Sequence, residues 1–452
     1  MKNFLKLLFS SALAAAWLGA ASSPNPQPDE RFKTDLLVVV AHPDDETEIG
    51  AYLARAIFDE KKRVAVVFGT RGNGGGNAEG QEQAAALGAI REIEGRRALE
   101  HFGVMNVWFL NGLDTPSQDV LQSLETWNHG DSLGRLVRIV RLTRPSVIAT
   151  WLPDWVAGEN HGDHQASSVL ANEAFDMAGD PTAFPEQLAA PRNRTSIGNL
   201  TEGLRPWQPE KIYFFSDAAH TEFLEGKGPQ YVSKETSPAR GISYARLGLE
   251  ECAFHLTQGD SGQECRAALE KNDLKGWDDP VRFIFGKSHV ESGVTADLFA
   301  GVQPNGIPFE RAPGYSAPAQ PAQPALDLGG PWRFYRAFWQ AHGLEHLANL
   351  VPPEIMVQPG SRMLLPFVIE NPSGADLDVD LTAHVPTKWE AVRGIHGCQA
   401  PAHGSCSMYV RAVVPELQTD DWQNVTVTAT AGEKTIGSVD VRVKISTAAM
   451  PE

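Results

Sequence analysis

The sequence predicts an α/β fold, a Rossmann-like three-layer arrangement on a mostly parallel sheet, followed by an all-β immunoglobulin-like sandwich. Three observations carry this reading. In the N-terminal part, short β-rich runs that are apolar on both parities alternate with helical stretches. A proline- and alanine-rich stretch, 308–330, then interrupts the pattern. Beyond it, apolar and polar residues alternate with period two between turn residues, the pattern of an antiparallel β-sandwich.

The chain opens with MKNFLKLLFSSALAAAWLGAASS, in which Lys2 and Lys6 precede an apolar run and then Gly19, Ala20 and Ala21. That order predicts a secretory signal peptide over 1–21, and the run is shorter than the ~20 residues a membrane span needs. No cysteine lies near the cleavage region, as a lipoprotein would require, and no other segment is long and apolar enough to cross a bilayer. The expected location is secreted or periplasmic, with no stable membrane span after cleavage. Cysteine usage agrees. The four cysteines fall in two local pairs, Cys252 with Cys265 and Cys398 with Cys406, that an oxidising compartment would close as clips.

Residues 33–307 form the first expected domain. DLLVVVA (35–41), RVAVVFGT (63–70), NVWFLN (106–111), SVIATW (146–151) and KIYFFS (211–216) read as strands, and GAYLARAIFDEKK and QEQAAALGAIREIEGRRALEHFG as helices between them. Such alternation builds a parallel sheet wrapped by helices. The stretch 180–210 reads as a long surface loop. Residues 308–330 read as a linker, too proline-dense for a helix. A helix over 331–350 offers Phe334, Tyr335, Phe338 and Trp339 for docking, and 351–447 is the sandwich. There Leu377, Val379, Leu381 and Ala383 make one face, Val425, Val427 and Ala429 another, and Val439, Val441, Val443 and Ile445 a third. No acid–base or metal cluster lies in the sandwich, which makes it a buttress or a polymer-targeting module. The internal look of the aromatics favours the buttress.

Over 452 residues the chain is 42% hydrophobic and 21% charged, which describes a soluble globular protein with an ample core. Its net charge of −17 argues against nucleic acid as a partner. Nothing in it specifies an oligomeric state.

The chemistry starts at VVVAHPDDETEIG (38–50), where a buried strand runs into His42, Asp44, Asp45 and Glu46. In open α/β sheets ligands bind beyond the carboxyl ends of the strands, which is where these residues fall. A single capping aspartate would be ordinary at a helix start, but a histidine with three consecutive acids exceeds what a cap needs. A second cluster, His161, Asp163 and His164 in ENHGDHQAS, follows SVIATW and so reaches the same edge. Two histidines and a carboxylate from distant segments suit a borderline-soft metal, and a catalytic zinc takes three protein ligands with one position open.

AHPDDE followed by HGDH resembles the LmbE/PIG-L family of zinc-dependent N-acetylglucosaminyl deacetylases. The intervening TRGNGGG, IREIE and LNGLD fit in the same order, and the likeness covers roughly residues 33–300. The resemblance implies Zn²⁺ held by His42, Asp45 and His164, with Asp44 as general base and His161 stabilising the oxyanion or assisting the leaving amine. Asp163, between the histidines, suits orienting His161 rather than binding zinc. The resemblance further implies that Arg91 and Asp114 hydrogen-bond sugar hydroxyls. Read on their own, Arg91 could pair with a neighbouring glutamate on its helix, and Asp114 could be a turn residue. FHLTQG (254–259) is similar to a His-x-Ser-Gln element of some relatives, with Thr257 in the serine's place, which adds His255 and Gln258 as candidates.

Two motif fragments are set aside. GDSG (259–262) lacks the surroundings of a serine protease, and the spacing in RGNGGGN does not match a dinucleotide fingerprint. The expected activity is removal of an acyl group, acetyl above all, from an N-acetylated sugar or glycoconjugate. The alternatives are hydrolysis of another amide, such as a sugar–thiol or antibiotic-like conjugate, and noncatalytic carbohydrate binding.

Overall fold

A computed structural model of the protein describes residues 28–154, 161–188, 203–217, 222–258, 261–316, 321–350, 352–391, 397–417, 419 and 421–446. The expected signal peptide and part of the loop expected over 180–210 lie outside these residues. In the α/β part, β1 (Leu36–Val40), β2 (Val64–Phe68), β3 (Val107–Phe109), β4 (Val147–Trp151) and β5 (Lys211–Phe215) run parallel in the order β3-β2-β1-β4-β5. Ile284–Ser288 closes one edge antiparallel to β5. The mostly parallel sheet read from the sequence is therefore present.

Both faces of β1 are covered, which is why it is apolar on both parities. Leu37 and Val39 join an apolar cluster with Val137, Leu170 and Phe175, whereas Leu36, Val38 and Val40 join another with Tyr52 and Leu53. The covering helices include α1 (Gly50–Phe58), α2 (Ala84–His101), α3 (Val120–Thr126), α4 (His129–Thr143) and α5 (Gly162–Met177). Further along the chain come α6 (Tyr244–Cys252) and α7 (Ser261–Lys271), joined by the Cys252–Cys265 disulfide. The chain steps outward from β1 to β3 and then returns to lay β4 on the other side of β1. That reversal opens a crevice at the carboxyl ends of β1 and β4.

The C-terminal part is two packed sheets. One runs in the order Glu354–Val357, Lys434–Ile445, Gln423–Ala431, Leu377–His384, Cys398–Ala400; the other runs Glu390–Ala391, Gly404–Val413, Arg362–Asn371, Ala325–Leu328. Val379, Leu381, Val425, Val427, Ala429, Val441, Val443 and Ile445 all point into the core. The Cys398–Cys406 disulfide joins the two sheets. Two details differ from the sequence reading. Ala325–Leu328, within the stretch expected as linker, is an edge strand paired with Arg362–Asn371. The proline density ends at Pro324, and Leu326 and Leu328 then alternate into the core. Glu354–Val357 also pairs in parallel with Lys434–Ile445, so the sandwich is not wholly antiparallel.

Between the two parts lies α8 (Gly330–His342), with Pro331 in its first turn and Gly343 at φ 68 ending it in the left-handed conformation. Tyr335, Phe338 and Trp339 are buried, while Phe334 is only partly so. Tyr335 Oη donates to Gln165 Oε1 at 2.7 Å, Trp339 Nε1 donates to Pro153 O at 3.2 Å, and His342 Nδ1 lies 2.6 Å from Asp176 Oδ2. One apolar cluster runs through both parts without a break. Burying a large apolar side chain contributes about 1.5–3 kcal/mol. A chain truncated after Pro324 should therefore melt on the order of 10 °C below the full chain by calorimetry. An unchanged melting temperature would show that the sandwich does not brace the α/β part.

Candidate metal-binding active site

The site is built on two loops that leave adjacent strands. After β1 the chain passes through His42, Pro43 and Asp44 into a 3₁₀ turn, Asp45–Ile49, that runs directly into α1. Asp44 takes φ 145 and ψ −21, a conformation that non-glycine residues rarely hold. Asp45 is buried. Its Oδ2 accepts from Ala41 N at 2.8 Å, His42 N at 3.0 Å and Trp151 Nε1 at 2.7 Å. That oxygen is saturated, whereas Oδ1 lies 3.6 Å from His42 Nδ1 and 3.4 Å from His164 Nε2.

After β4, His161 caps α5 and His164 lies in its first turn. His161 Nδ1 accepts the Asp163 N–H at 3.1 Å, so a neutral ring carries its proton on Nε2. Gly162 lets α5 approach closely: a Cβ there would sit 2.9 Å from both Ser117 O and Asp119 O. The His164 ring stacks on Trp151 at 4.4 Å and 8°. The rings of His42 and His161 are 4.9 Å apart, and those of His161 and His164 are 5.1 Å apart.

His42, Asp45 and His164 each offer a donor atom, all within 4.8 Å of one another. His42, His161 and Asp163 form a second such group that shares His42. The fully buried Asp163 carboxylate is aimed at His42, with Oδ2 at 3.5 Å from His42 Nε2 and accepting from Thr115 N at 2.8 Å. It is the backbone N–H of Asp163, and not the side chain, that orients His161. The reason is helical geometry: the N-cap position of His161 sets its ring over the amides of the first turn.

The electrostatics separate the three histidines. Burial opposes charge on His42, but the carboxylates of Asp163 and Asp45 outweigh it and raise its pKa well above the ordinary value. His164 is raised in the same way, against burial, by Asp45 and then Asp217. Burial also opposes ionisation of Asp45, and His164 and His42 nevertheless hold it well below the usual carboxylate range. His161 is pushed down to about 3 by burial and by its two histidine neighbours, so it stays neutral.

Arg91 and Asp114 meet at the glycine loop after β2. Asp114 Oδ2 accepts the Gly74 N–H at 2.6 Å, and its charge reaches His42. Arg91, 3% exposed, donates to Gly72 O and Gly76 O at 2.6 Å each and to Thr257 O at 2.9 Å. Gly72 stands at φ 66, and a Cβ there would lie 2.8 Å from Arg91 Cδ. The guanidinium is thus a clasp between the loop and the turn after α6. From that turn, Gln258 Nε2 reaches Pro43 O and, at 3.3 Å, Asp44 Oδ1, and His255 Nε2 lies 3.0 Å from Glu46 Oε1.

Sequence reasoning missed Trp151, although it ends the strand that feeds the second cluster. It also left Glu46 and Glu251 without a role and did not anticipate that Thr115 would hold Asp163.

The sequence profile of the PIG-L family, described as GlcNAc-PI de-N-acetylase, matches residues 37–175, from β1 to near the end of α5. The 1D-myo-inositol 2-acetamido-2-deoxy-alpha-D-glucopyranoside deacetylase of Streptomyces avermitilis is 31% identical over 327 residues, 68% of this chain and 86% of that protein. The chain belongs to the PIG-L family. A protein of the same description from Geodermatophilus obscurus is 33% identical over 167 residues, 33% of this chain, and the match spans only 56% of that protein. A mycothiol S-conjugate amidase of Streptomyces coelicolor is 30% identical over 191 residues, covering 40% of this chain and 59% of that protein. The PIG-L-matched stretch holds every residue of the two clusters, and the sandwich lies beyond it.

Hydrogen bonds from a buried charged donor contribute about 1.5–3 kcal/mol each. Arg91→Ala removes three such bonds and should therefore cost on the order of 5 kcal/mol by denaturant unfolding and speed amide exchange at 72–77. Unchanged exchange in the loop would show that Arg91 does not hold it.

Proposed function

We propose that the protein is a secreted, zinc-dependent amidohydrolase that removes an acetyl group from an N-acetylated amino sugar or glycoconjugate. The observation that carries this is the convergence of His42, Asp45 and His164 at one sheet edge, with a neutral His161 grouped on His42 and Asp44 between His42 and Asp45 in the chain. Two imidazoles and a carboxylate whose second oxygen is already saturated by three N–H groups are a donor set suited to zinc. Asp163 and Trp151 would hold His42 and Asp45 in place from behind. Secretion is supported by the N-terminal pattern and by the two disulfides. Among the described residues no helix is long and apolar enough to cross a membrane.

A bound zinc supplies easier deprotonation of water and polarisation of an amide carbonyl. Asp44 takes the proton of the attacking water and returns it to the departing nitrogen. His161 Nε2–H donates to the oxygen that gains negative charge, and the amino end of α5 adds its dipole there. A neutral histidine suits this role because it keeps its donor without a charge to lose. Asp114 binds a sugar hydroxyl, and Arg91 contributes through the loop that it clasps. A second reading, hydrolysis of a sugar–thiol amide, draws support from the likeness to the Streptomyces coelicolor amidase.

Screening the zinc-loaded protein against acetylated amino sugars, with release of free amine as the readout, tests the reading as a whole. His164→Ala should lose most of the metal, and full zinc by elemental analysis would remove it from the ligand set. Asp44→Asn should keep zinc and lose turnover by about 10²–10⁴-fold, the usual cost of a missing general base. His161→Ala should bind zinc as before and slow the reaction; loss of metal there would make His161 a ligand.

A further inference from the structure

The backbone of Asp44 needs an explanation that its own segment provides only in part. A residue at φ 145 and ψ −21 keeps that conformation only when its surroundings enforce it. The Asp44 N–H donates to Glu46 Oε2 at 3.0 Å, and the other Glu46 oxygen lies 3.0 Å from His255 Nε2. Glu251 Oε1 approaches the same nitrogen at 3.8 Å, and the side chains of Glu46, His255 and Glu251 are wholly inaccessible to solvent. Gln258 Nε2 donates to Pro43 O and Asp44 Oδ1, so the peptide before Asp44 and its carboxylate are gripped from the same direction.

His255 and Gln258 lie on the short turn after α6. Cys252 and Cys265 clip that turn to α7, and Thr257 ties it to α2 through Glu94, with Oγ1 at 2.7 Å from Glu94 Oε2. Glu46, Glu251 and His255 also offer three donor atoms within 4.8 Å of one another, as a metal cage would. The Glu46–His255 contact, however, is at hydrogen-bond length. Two ligands about 2.05 Å from a tetrahedral ion would stand about 3.3 Å apart.

We propose that the buried Glu46–His255 pair and Gln258, presented on a disulfide-clipped turn, are positioning residues that hold Asp44 in its strained conformation for proton transfer. The proposal rests on the reading of Asp44 as the general base. The pair touches no substrate and acts through Asp44 alone. Glu46 fixes the amide, Gln258 fixes the carboxylate, and His255 anchors Glu46.

The test compares full-length wild type, Asp44→Asn, His255→Asn, Glu46→Gln and the Asp44→Asn/His255→Asn double variant. Zinc content, kcat and KM on N-acetylglucosamine are measured for each, with amide exchange of residues 41–50 in the metal-free proteins. His255→Asn should keep one zinc and a KM within about twofold of wild type while kcat falls about 10–100-fold, the usual cost of a lost outer partner. It should add no further loss on the Asp44→Asn background, and exchange at residues 44–47 should rise. Glu46→Gln keeps an acceptor for the Asp44 N–H, so its kcat should fall between wild type and His255→Asn.

Unchanged kcat and unchanged exchange in both single variants would overturn the proposal. So would a multiplicative loss in the double variant, or a second zinc in wild type that disappears in His255→Asn. If His255→Asn does not fold, Glu46→Gln and Gln258→Leu carry the same comparison. Wild-type turnover in Asp44→Asn would instead sink the reading of Asp44 as base. In that case, or if N-acetylglucosamine is not turned over, the exchange measurement still decides whether the pair holds the Asp44 backbone.

Discussion

The parallel pairing of β1 with β4 is the constraint on which the rest of the site depends. Their register runs from Leu36 opposite Val147 to Val39 opposite Thr150, so both strands end level at the same sheet edge. That places Trp151, the last residue of β4, where its indole N–H meets Asp45 and its ring lies under His164. A slip of one residue would move the loops about 3.3 Å apart along the strands and turn Trp151 to the other face. Both faces of β1 are buried, so the packing of the core around it sets the spacing of the ionisable groups. The geometry of the candidate site follows from packing.

Within that frame, environment gives chemically identical side chains different states. His42 and His164 stand against carboxylates and are drawn toward positive charge; the field that attracts a proton there also attracts a metal cation. His161 caps a helix, accepts a backbone N–H and faces two other histidines, so it stays neutral and keeps a donor on its outer nitrogen. Titratable groups pushed apart in this way would let one site offer both an ion cradle and a hydrogen-bond donor.

The elements legible in the sequence were those written in local pattern. Strands apolar on both parities announced the central sheet, and period-two alternation announced the sandwich, because each pattern records which faces are buried. His42, Asp44 and Asp45, directly after β1, and His161 and His164, at the start of the helix that follows β4, were legible as candidates because clustered ionisable residues at a strand's carboxyl end are costly without a purpose. What stayed hidden depends on contacts between distant segments. Trp151 reads as one more apolar strand residue until the register brings it to Asp45. Glu46 and His255 stand 209 positions apart and pair only once α6 has packed beside α1. Arg91 reads as a substrate contact or a helix-surface partner, whereas burial turns it toward the carbonyls of a loop. The start of the sandwich at Ala325 was masked by the prolines that run up to it.

The sandwich bears on the site through α5. That helix carries His164 in its first turn, and it is buried along almost its whole length, from Gly162 to Asp176. A helix buried on all sides needs cover on more than one face. The sheet and α4 cover part of it, and α8 from the C-terminal part covers more. Along α5, Gln165 meets the Tyr335 hydroxyl one residue after His164, while Asp176 near the far end is held by Lys287 and His342. Of these partners Lys287 belongs to the α/β part, whereas Tyr335 and His342 come from α8. Tyr335 and His342 of α8 thus meet α5 near both of its ends, and Gln165 is the neighbour of His164 in the chain. Tyr335, Phe338 and Trp339 are buried. These contacts of α8 with α5 are what support reading the sandwich as a buttress of the α/β part.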